Sequence, residues 1–193
     1  SQFGANVGNV IKNCMVAVDD VMFSAIIQDN YAGARTVEPH QALSLKNSIV
    51  SDMNVKTDKL PVSYFVFYPA KEKLSIFSGT AGFGIAYDEL NKEFSGVSEK
   101  TKWYSLDKGT IVYAKKGIRL DTGSIAGVGN FFMELDTKKL GEVFETLQLN
   151  ESVQLFCITD EGQIIYSGQE EFAVGSTFSD TDLVDGIKQT QAE

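Results

Sequence analysis

Apolar residues recur at helical spacing over the first part of the chain. The steps between them are three and four residues, which predicts one long amphipathic helix that begins almost at the first residue. Because no good capping residue precedes this helix, we expect it to continue toward the N-terminus in a longer protein. The apolar seam is formed by Val7, Ile11, Cys14, Val18, Val21 and Ala25.

Two β-hairpins are predicted, and each follows a helical stretch. Residues 64–79, "YFVFYPAKEKLSIFSG", and residues 155–168, "LFCITDEGQIIYSG", both place two apolar runs around a polar turn and end in Ser-Gly. This repetition is typical of an internal duplication, but an α+β chain with unrelated helix–hairpin pairs gives the same pattern. The apolar faces of the two preceding helices are Leu43, Leu45, Ile49 and Met53, and Leu140, Val143, Phe144 and Leu147.

The segment between the hairpins predicts a short helix and several strands. The helix lies around Tyr87 to Phe94, and residues 103–136 alternate between apolar runs and turns. We predict a short strand at 118–120 and a long one at 124–136, whose glycines indicate a bulge or the close approach of another backbone or a ligand. This order of elements favours an antiparallel sheet flanked by helices, an α+β fold, over a parallel sheet.

Charge and composition limit the possible partners. Lys and Arg number 17 against 26 Asp and Glu, so the formal net charge is −9, which argues against a nucleic-acid partner. The hydrophobic share of 43% is ordinary for a globular chain. No apolar run approaches the ~20 residues that a membrane-spanning helix needs.

The residues that could carry catalysis are few and poorly placed. The single histidine, His40, follows Pro39 in a predicted polar connector with no metal-ligand set around it. Cys14 and Cys157 are far apart in sequence, so we expect two buried free thiols, with one disulfide as the open alternative. The glycine-rich stretch at 79–84 lacks the Lys and hydroxyl residue of a phosphate loop, and we interpret it as a connector. The chain is therefore predicted not to be an enzyme, with no cofactor and no metal site.

Residues in the second half of the chain carry a resemblance to a known family. The run "WY…GTIVYAKKGIRL…GSIAGVGNFFMELDTKKLGEVF…LFCITDEGQIIYSG" resembles the Cache-type extracytoplasmic sensor domain of bacterial membrane receptors, and more narrowly the double-Cache sensors of sensor histidine kinases. The resemblance implies a long N-terminal helix packed on a membrane-distal, PAS-like antiparallel sheet in residues 1–136. It also implies a linking helix and a smaller, incomplete membrane-proximal unit in residues 137–193.

Two positions depart from the pattern of the family members that bind free amino acids. Those members carry an Arg two residues before the Trp-Tyr pair and an Asp two residues after a later Tyr. Here Thr101 and Lys115 occupy these positions, and Lys115 would repel an ammonium group where an Asp would attract it. The amino-acid-binding signature is therefore absent from this sequence.

The resemblance also implies a place and a role for the chain. It implies a ligand-sensing domain between two transmembrane helices, on the extracytoplasmic side of the cell membrane, in a two-component sensor histidine kinase. The same module on a chemotaxis receptor or a diguanylate cyclase is the first alternative, and a surface or adhesion domain that senses no ligand is the second. The implied partners are an unknown small molecule or extracellular protein, and a second copy in the homodimeric receptor.

The candidate ligand-binding residues are aromatic and cationic side chains on the predicted strands. Small-molecule sites are mostly apolar with a few convergent polar groups, although aromatic residues are also common in the buried strands of any sheet. The candidates are Tyr64, Phe67, Trp103, Tyr104, Tyr113 and Lys115.

Overall fold

The computed structural model describes residues 2–33, 37–71, 74–82, 85–106, 110–125, 127–145, 156–159, 162–167 and 173–178. The helices in these ranges are α1 (Gln2–Met22), α2 (Ala25–Tyr31), α3 (Pro39–Thr57), α4 (Tyr87–Gly96) and α5 (Thr137–Glu145). The strands are β1 (Val62–Pro69), β2 (Ile76–Gly79), β3 (Thr101–Leu106), β4 (Thr110–Lys116), β5 (Gly129–Leu135), β6 (Phe156–Ile158) and β7 (Ile164–Ser167).

Five strands form one antiparallel sheet in the order β2-β1-β5-β4-β3. The central strand is β5, which pairs on one side with β1 and on the other with β4. The last strand of the sheet thus lies between the first and the fourth, which is the order of a PAS-like sheet. The predicted α+β fold, with a long N-terminal helix packed on a PAS-like antiparallel sheet, is confirmed.

The first three helices cover one face of this sheet, called here the α1 face. On the sheet, Phe67 stacks on Phe131 with ring centroids 4.4 Å apart. Burial raises the pKa of the free Cys14 thiol to about 12, so this thiol stays protonated at neutral pH. The buried residues of α1 recur at intervals of three and four, as packing through one helix face requires. They are Cys14, Ala17, Val18, Val21 and Met22.

The predicted single long helix is interrupted just after α1. Ser24 caps the next helix, α2, because its hydroxyl donates to the carbonyl of Val21 at 2.7 Å and accepts from the amide of Ile27 at 3.5 Å. The buried seam therefore ends with α1, and Ala25, which was predicted to belong to it, is exposed. The side chain of Val7 lies outside the described residues.

Gln28 of α2 connects this helix break to the β4–β5 connection. Its amide nitrogen donates to the carbonyl oxygens of Met22 at 2.8 Å and Ile118 at 3.0 Å, and its amide oxygen accepts from the backbone N–H of Leu120 at 3.0 Å. The prediction of a strand at 118–120 is therefore wrong. Two of its backbone groups bond to a side chain rather than to a neighbouring strand.

The strand β5 begins at Gly129, later than the start of the long strand predicted at 124–136. Gly129 has a φ of 131°, and a Cβ at this position would collide with the carbonyl oxygen of Tyr68. Only glycine allows β1 to come this close, which is the close backbone approach that the sequence predicted. Gly123 and Gly127 precede the strand, and both have positive φ.

The start of α3 corrects the prediction for the single histidine. His40 lies in the first turn of the helix that begins at Pro39, not in a connector, and it is exposed; proline is well suited to this first helical position. Ile49 and Met53 are buried, as predicted, whereas Leu43 is 70% exposed. The fully buried side chains of α3 thus lie in its second half, while Leu45 in the first half is partly buried against the same cluster.

The C-terminal hairpin forms a two-stranded sheet of its own. Its strands β6 and β7 pair antiparallel, and Gly162 next to the turn has a positive φ of 82°. Ile165 is buried in the same apolar cluster as the α1 face, together with Leu140 of α5. The predicted hairpin is confirmed, and the division of the chain at residue 136 stays a prediction.

Several predicted features lie outside the described part of the chain. They are one of the turns within residues 103–136, at 107–109, the turn of the second hairpin at 160–161, Leu147, the side chains of Phe144 and Cys157, and residues 179–193 of the predicted membrane-proximal unit. Among the described helices, none combines the length and apolar character that crossing a membrane requires.

Candidate ligand-binding site

The second face of the sheet, called here the α4 face, is covered by α4. Because side chains alternate along a strand, the residues of even number in β3, β4 and β5, and in β1 from Tyr64 onward, form this face. Val62 precedes an irregularity in β1 and packs on the α1 face. The centre of the α4 face is Phe132, whose ring centroid lies 5.7 Å from that of Phe94 and 6.3 Å from that of Tyr87, both on α4. The ring of Tyr68 lies edge-on to Phe132 at 5.8 Å. Aromatic packing therefore seats α4 on the middle of the sheet.

A cavity of about 680 Å³ lies between α4 and the ends of β1, β4 and β5. Small-molecule sites commonly enclose roughly 300–1,000 Å³, so the cavity is large enough for a metabolite. Ile125 and Gly127 of the β4–β5 connection form part of its wall. The polar side chains of its lining are Tyr68, Asp88, Asn91, Lys92, Ser95, Lys116 and Asn130.

Side-chain hydrogen bonds join α4 to the sheet around this cavity. Nδ2 of Asn130 donates to Oδ1 of Asn91 at 2.8 Å and to Oγ of Ser95 at 2.9 Å. The hydroxyl of Tyr68 donates to Oδ1 of Asp88 at 2.8 Å. Burial first, and then the bond to Asp88, raises the pKa of Tyr68, so this phenol remains a donor at neutral pH. The position of α4 therefore depends on polar groups that a ligand in the cavity can contact.

Lys116, the last residue of β4, is the most buried charged group of the cavity lining. Its exposed fraction is 9%. Its Nζ donates to the carbonyl oxygen of Val97, the C-cap of α4, and lies 5.5 Å from the ring centroid of Phe94. Helix C-termini carry partial negative charge, so this end of α4 stabilises an ammonium group.

Glu134 is a buried carboxylate, 5% exposed, near the other end of α4. It accepts hydrogen bonds from the hydroxyl of Ser63 at 3.0 Å, the hydroxyl of Tyr87 at 2.7 Å and the backbone N–H of Gly82 at 3.0 Å. Burial, followed by the bond to Glu134, raises the pKa of Tyr87, so this hydroxyl too stays protonated. One carboxylate thus fixes the start of α4 and the segment before it to β5.

We expect Glu134→Gln to destabilise the protein by about 2–3 kcal/mol, because the variant loses charge-assisted bonds and turns an amide N–H₂ toward donors. Urea denaturation measures the free energy of unfolding. Ser63→Ala is the control: it removes one donor to the same carboxylate, and we expect a loss of only about 1 kcal/mol. A Glu134→Gln variant as stable as the wild type would contradict the anchoring role of Glu134.

The structure does not bring the six predicted binding residues together. They belong to both faces of the sheet, because residues of odd and even number in a strand point to opposite sides. Tyr64 and Tyr104 lie on the α4 face. Neither lines the 680 Å³ cavity, and Tyr64 lines a smaller one of about 220 Å³.

The other four predicted residues lie on the α1 face. Phe67 and Tyr113 are fully buried there, and Trp103 packs on Tyr113 with ring centroids 4.9 Å apart. Lys115 forms an ion pair with Asp19 of α1. Packing against the helices thus occupies these side chains, and ligand binding by any of the six stays a prediction.

Comparison with known proteins finds similarity among solved structures but none among sequences. The sequence matches no protein-family model and no curated protein. Among solved structures, the chain is similar to the ligand-binding domain of the Campylobacter jejuni chemoreceptor Tlp3 in complex with L-valine, with a TM-score of 0.47 and 11% sequence identity. The match covers 97% of this chain and 77% of that chain. The fold assignment rests on the strand order and helix placement described above.

Proposed function

We propose that the chain is the extracytoplasmic ligand-sensing domain of a transmembrane signalling receptor, and within that class of a two-component sensor histidine kinase. The sequence resemblance to Cache-type sensors and the PAS-like strand order support the proposal. The observation that carries it is the polar-lined cavity of about 680 Å³ on the face of the sheet opposite α1.

The bonds around the cavity offer a way for a ligand to act. A ligand that joins or replaces the bonds of Asn130 and Tyr68 to α4 binds one position of α4 more tightly than another. Such differential binding shifts the population between two packings of the domain. We propose that the sheet passes this shift to the helices on the α1 face, which lead toward the membrane.

The proposed role is binding without catalysis and without a cofactor. In the described lining of the cavity, the one carboxylate, Asp88, already accepts a hydrogen bond from Tyr68. The remaining polar groups of the lining are amides, ammonium groups and hydroxyls. Groups of these kinds position a ligand by hydrogen bonding.

The gene that encodes the chain tests the receptor class. We expect a transmembrane segment on each side of the encoded residues and a histidine kinase domain after the second segment. A chemotaxis signalling domain or a diguanylate cyclase domain in that place would support the sensing role and contradict the histidine kinase output. Flanking sequence without a transmembrane segment would contradict the proposal.

Filling the cavity tests the ligand site. Ile125 lines the cavity, whereas Leu120 of the same connection is 61% exposed and does not line it. In a thermal-shift screen of small carboxylates, amines and sugars, we expect the shift of a hit to be lost in Ile125→Trp and kept in Leu120→Trp. A shift kept in both variants would place the ligand elsewhere, and a screen without hits would favour a surface or adhesion domain.

A further inference from the structure

We propose that the cavity on the α4 face binds its ligand through an anionic group, a carboxylate or a phosphate, held by Lys116. The inference rests on the proposed ligand site and names the chemistry of its ligand. The sequence singled out Lys115 as a candidate binding residue. The inference gives the central role to its neighbour Lys116, which lies on the opposite face of the sheet.

The first argument is the burial of Lys116, which is 9% exposed. A buried ammonium loses most of its hydration, which is costly unless an opposite charge or several acceptors replace the water. Its described contacts are the carbonyl oxygen of Val97 and the ring face of Phe94, and within the described chain it forms no ion pair. An ammonium has three N–H donors, so Lys116 retains capacity for an acceptor in the cavity that it lines.

The second argument is the charge of the lining. The cavity is lined by two ammonium groups, Lys116 and Lys92, and by one carboxylate, Asp88. The lining is therefore positive, although the whole chain carries a net charge of −9. An acidic protein repels anions at long range. The local excess of positive charge in the cavity would offset this repulsion and allow the protein to bind an anion there.

The third argument is that the side-chain amide of Asn130, the partner of Lys116 across β4 and β5, is already engaged. Nδ2 of Asn130 donates to both Asn91 and Ser95. A charge-assisted bond from Lys116 would be stronger than a bond from any neutral donor of the lining. A cationic ligand at this point would meet a like charge.

A purely structural role for Lys116 makes a different prediction. If the ammonium serves only the C-terminus of α4, its removal lowers the stability of the ligand-free protein and leaves the response to anions unchanged. The two roles separate when ligand-free stability and the anion-induced shift are measured in the same variants.

The test compares Lys116→Met with Lys92→Met. Each variant removes one positive charge from the lining, but Lys92 is exposed on α4. The probes are acetate, succinate and inorganic phosphate, with neutral succinamide as the uncharged analogue, all at constant ionic strength. Thermal denaturation over a range of probe concentrations gives an apparent affinity for each variant.

We expect at least one of the three anions to stabilise the wild type in a saturable way, and succinamide to have no effect. Lys116→Met should weaken that apparent affinity at least about tenfold, or ~1.4 kcal/mol, and Lys92→Met less than about threefold. The carboxylate and phosphate arms identify which oxyanion is bound. Lys116→Arg, which keeps the charge, should retain a response to the anion even if Lys116→Met fails to fold.

Three results would overturn the inference: an unchanged anion response in Lys116→Met, an equal response to succinamide, or no response to any of the three anions. A neutral hit blocked by Ile125→Trp, together with no anion response, would overturn the inference and leave the proposed sensor standing. If anion binding depends on Lys116 but the gene encodes no transmembrane segments, the inference stands and the proposed receptor is overturned.

Discussion

Replacing Val18 by aspartate is expected to lower the free energy of unfolding by about 3–5 kcal/mol, a large part of the roughly 5–15 kcal/mol that stabilises an ordinary domain. Val18 is fully buried in α1, within the apolar cluster of the α1 face. An aspartate there would be a carboxylate without water and without a partner. Urea denaturation at pH 7, followed by circular dichroism, measures the loss.

Val16 provides the matched control, because it is a valine of the same helix and is 43% exposed. At this exposed position the same change to aspartate should cost less than about 0.5–1 kcal/mol. Equal and small effects at Val16 and Val18 would show that the stripe on α1 faces solvent. That result would contradict the described packing of α1 on the sheet.

Phe132→Ala is the second substitution with a large expected effect, about 3–5 kcal/mol. Phe132 is fully buried, and its ring is the surface on which Phe94 and Tyr87 of α4 pack. The variant should therefore be less stable and should lose the aromatic surface on which α4 packs. Because α4 lines the cavity, we expect the response to any ligand in the cavity to weaken as well. Denaturation and the thermal-shift assay measure these two losses separately.

Phe77→Ala is the control for this substitution. Phe77 lies on the edge strand β2 and is 47% exposed, so its removal should cost about 1 kcal/mol. A Phe132→Ala protein that is destabilised but keeps the full ligand response would show that the cavity does not depend on the packing of α4.

Strand periodicity made much of the sheet predictable. In β1 and β5, long apolar runs bounded by polar turns identify buried strands, and Gly129 correctly indicated a close approach of two backbones. The break after α1 could not be predicted in the same way, because Ser24 and Ala25 interrupt neither the apolar spacing nor the helix propensity. The deciding interactions are the caps made by Ser24 and the bonds made by Gln28 with residues distant in sequence.

The binding site was harder to predict than the fold. In "TIVYAKK" the alternation separates Val112, Ala114 and Lys116 from Ile111, Tyr113 and Lys115, but it does not say which set faces the cavity. That depends on where α1 and α4 pack, which is a property of the tertiary structure. The aromatic residues of the α1 face looked like a site because buried cores and apolar pockets have the same composition.

The side chain of Gln28 makes the helix break and the β4–β5 connection parts of one hydrogen-bonded unit. That connection supplies Ile125 and Gly127 to the cavity wall, whereas the break belongs to the helical layer across the sheet. A displacement of the backbone at Ile118 or Leu120 must either carry α2 along or break its bonds with Gln28. The two faces of the sheet are therefore not mechanically independent, and a change at the rim of the cavity has a direct route to the N-terminal helices.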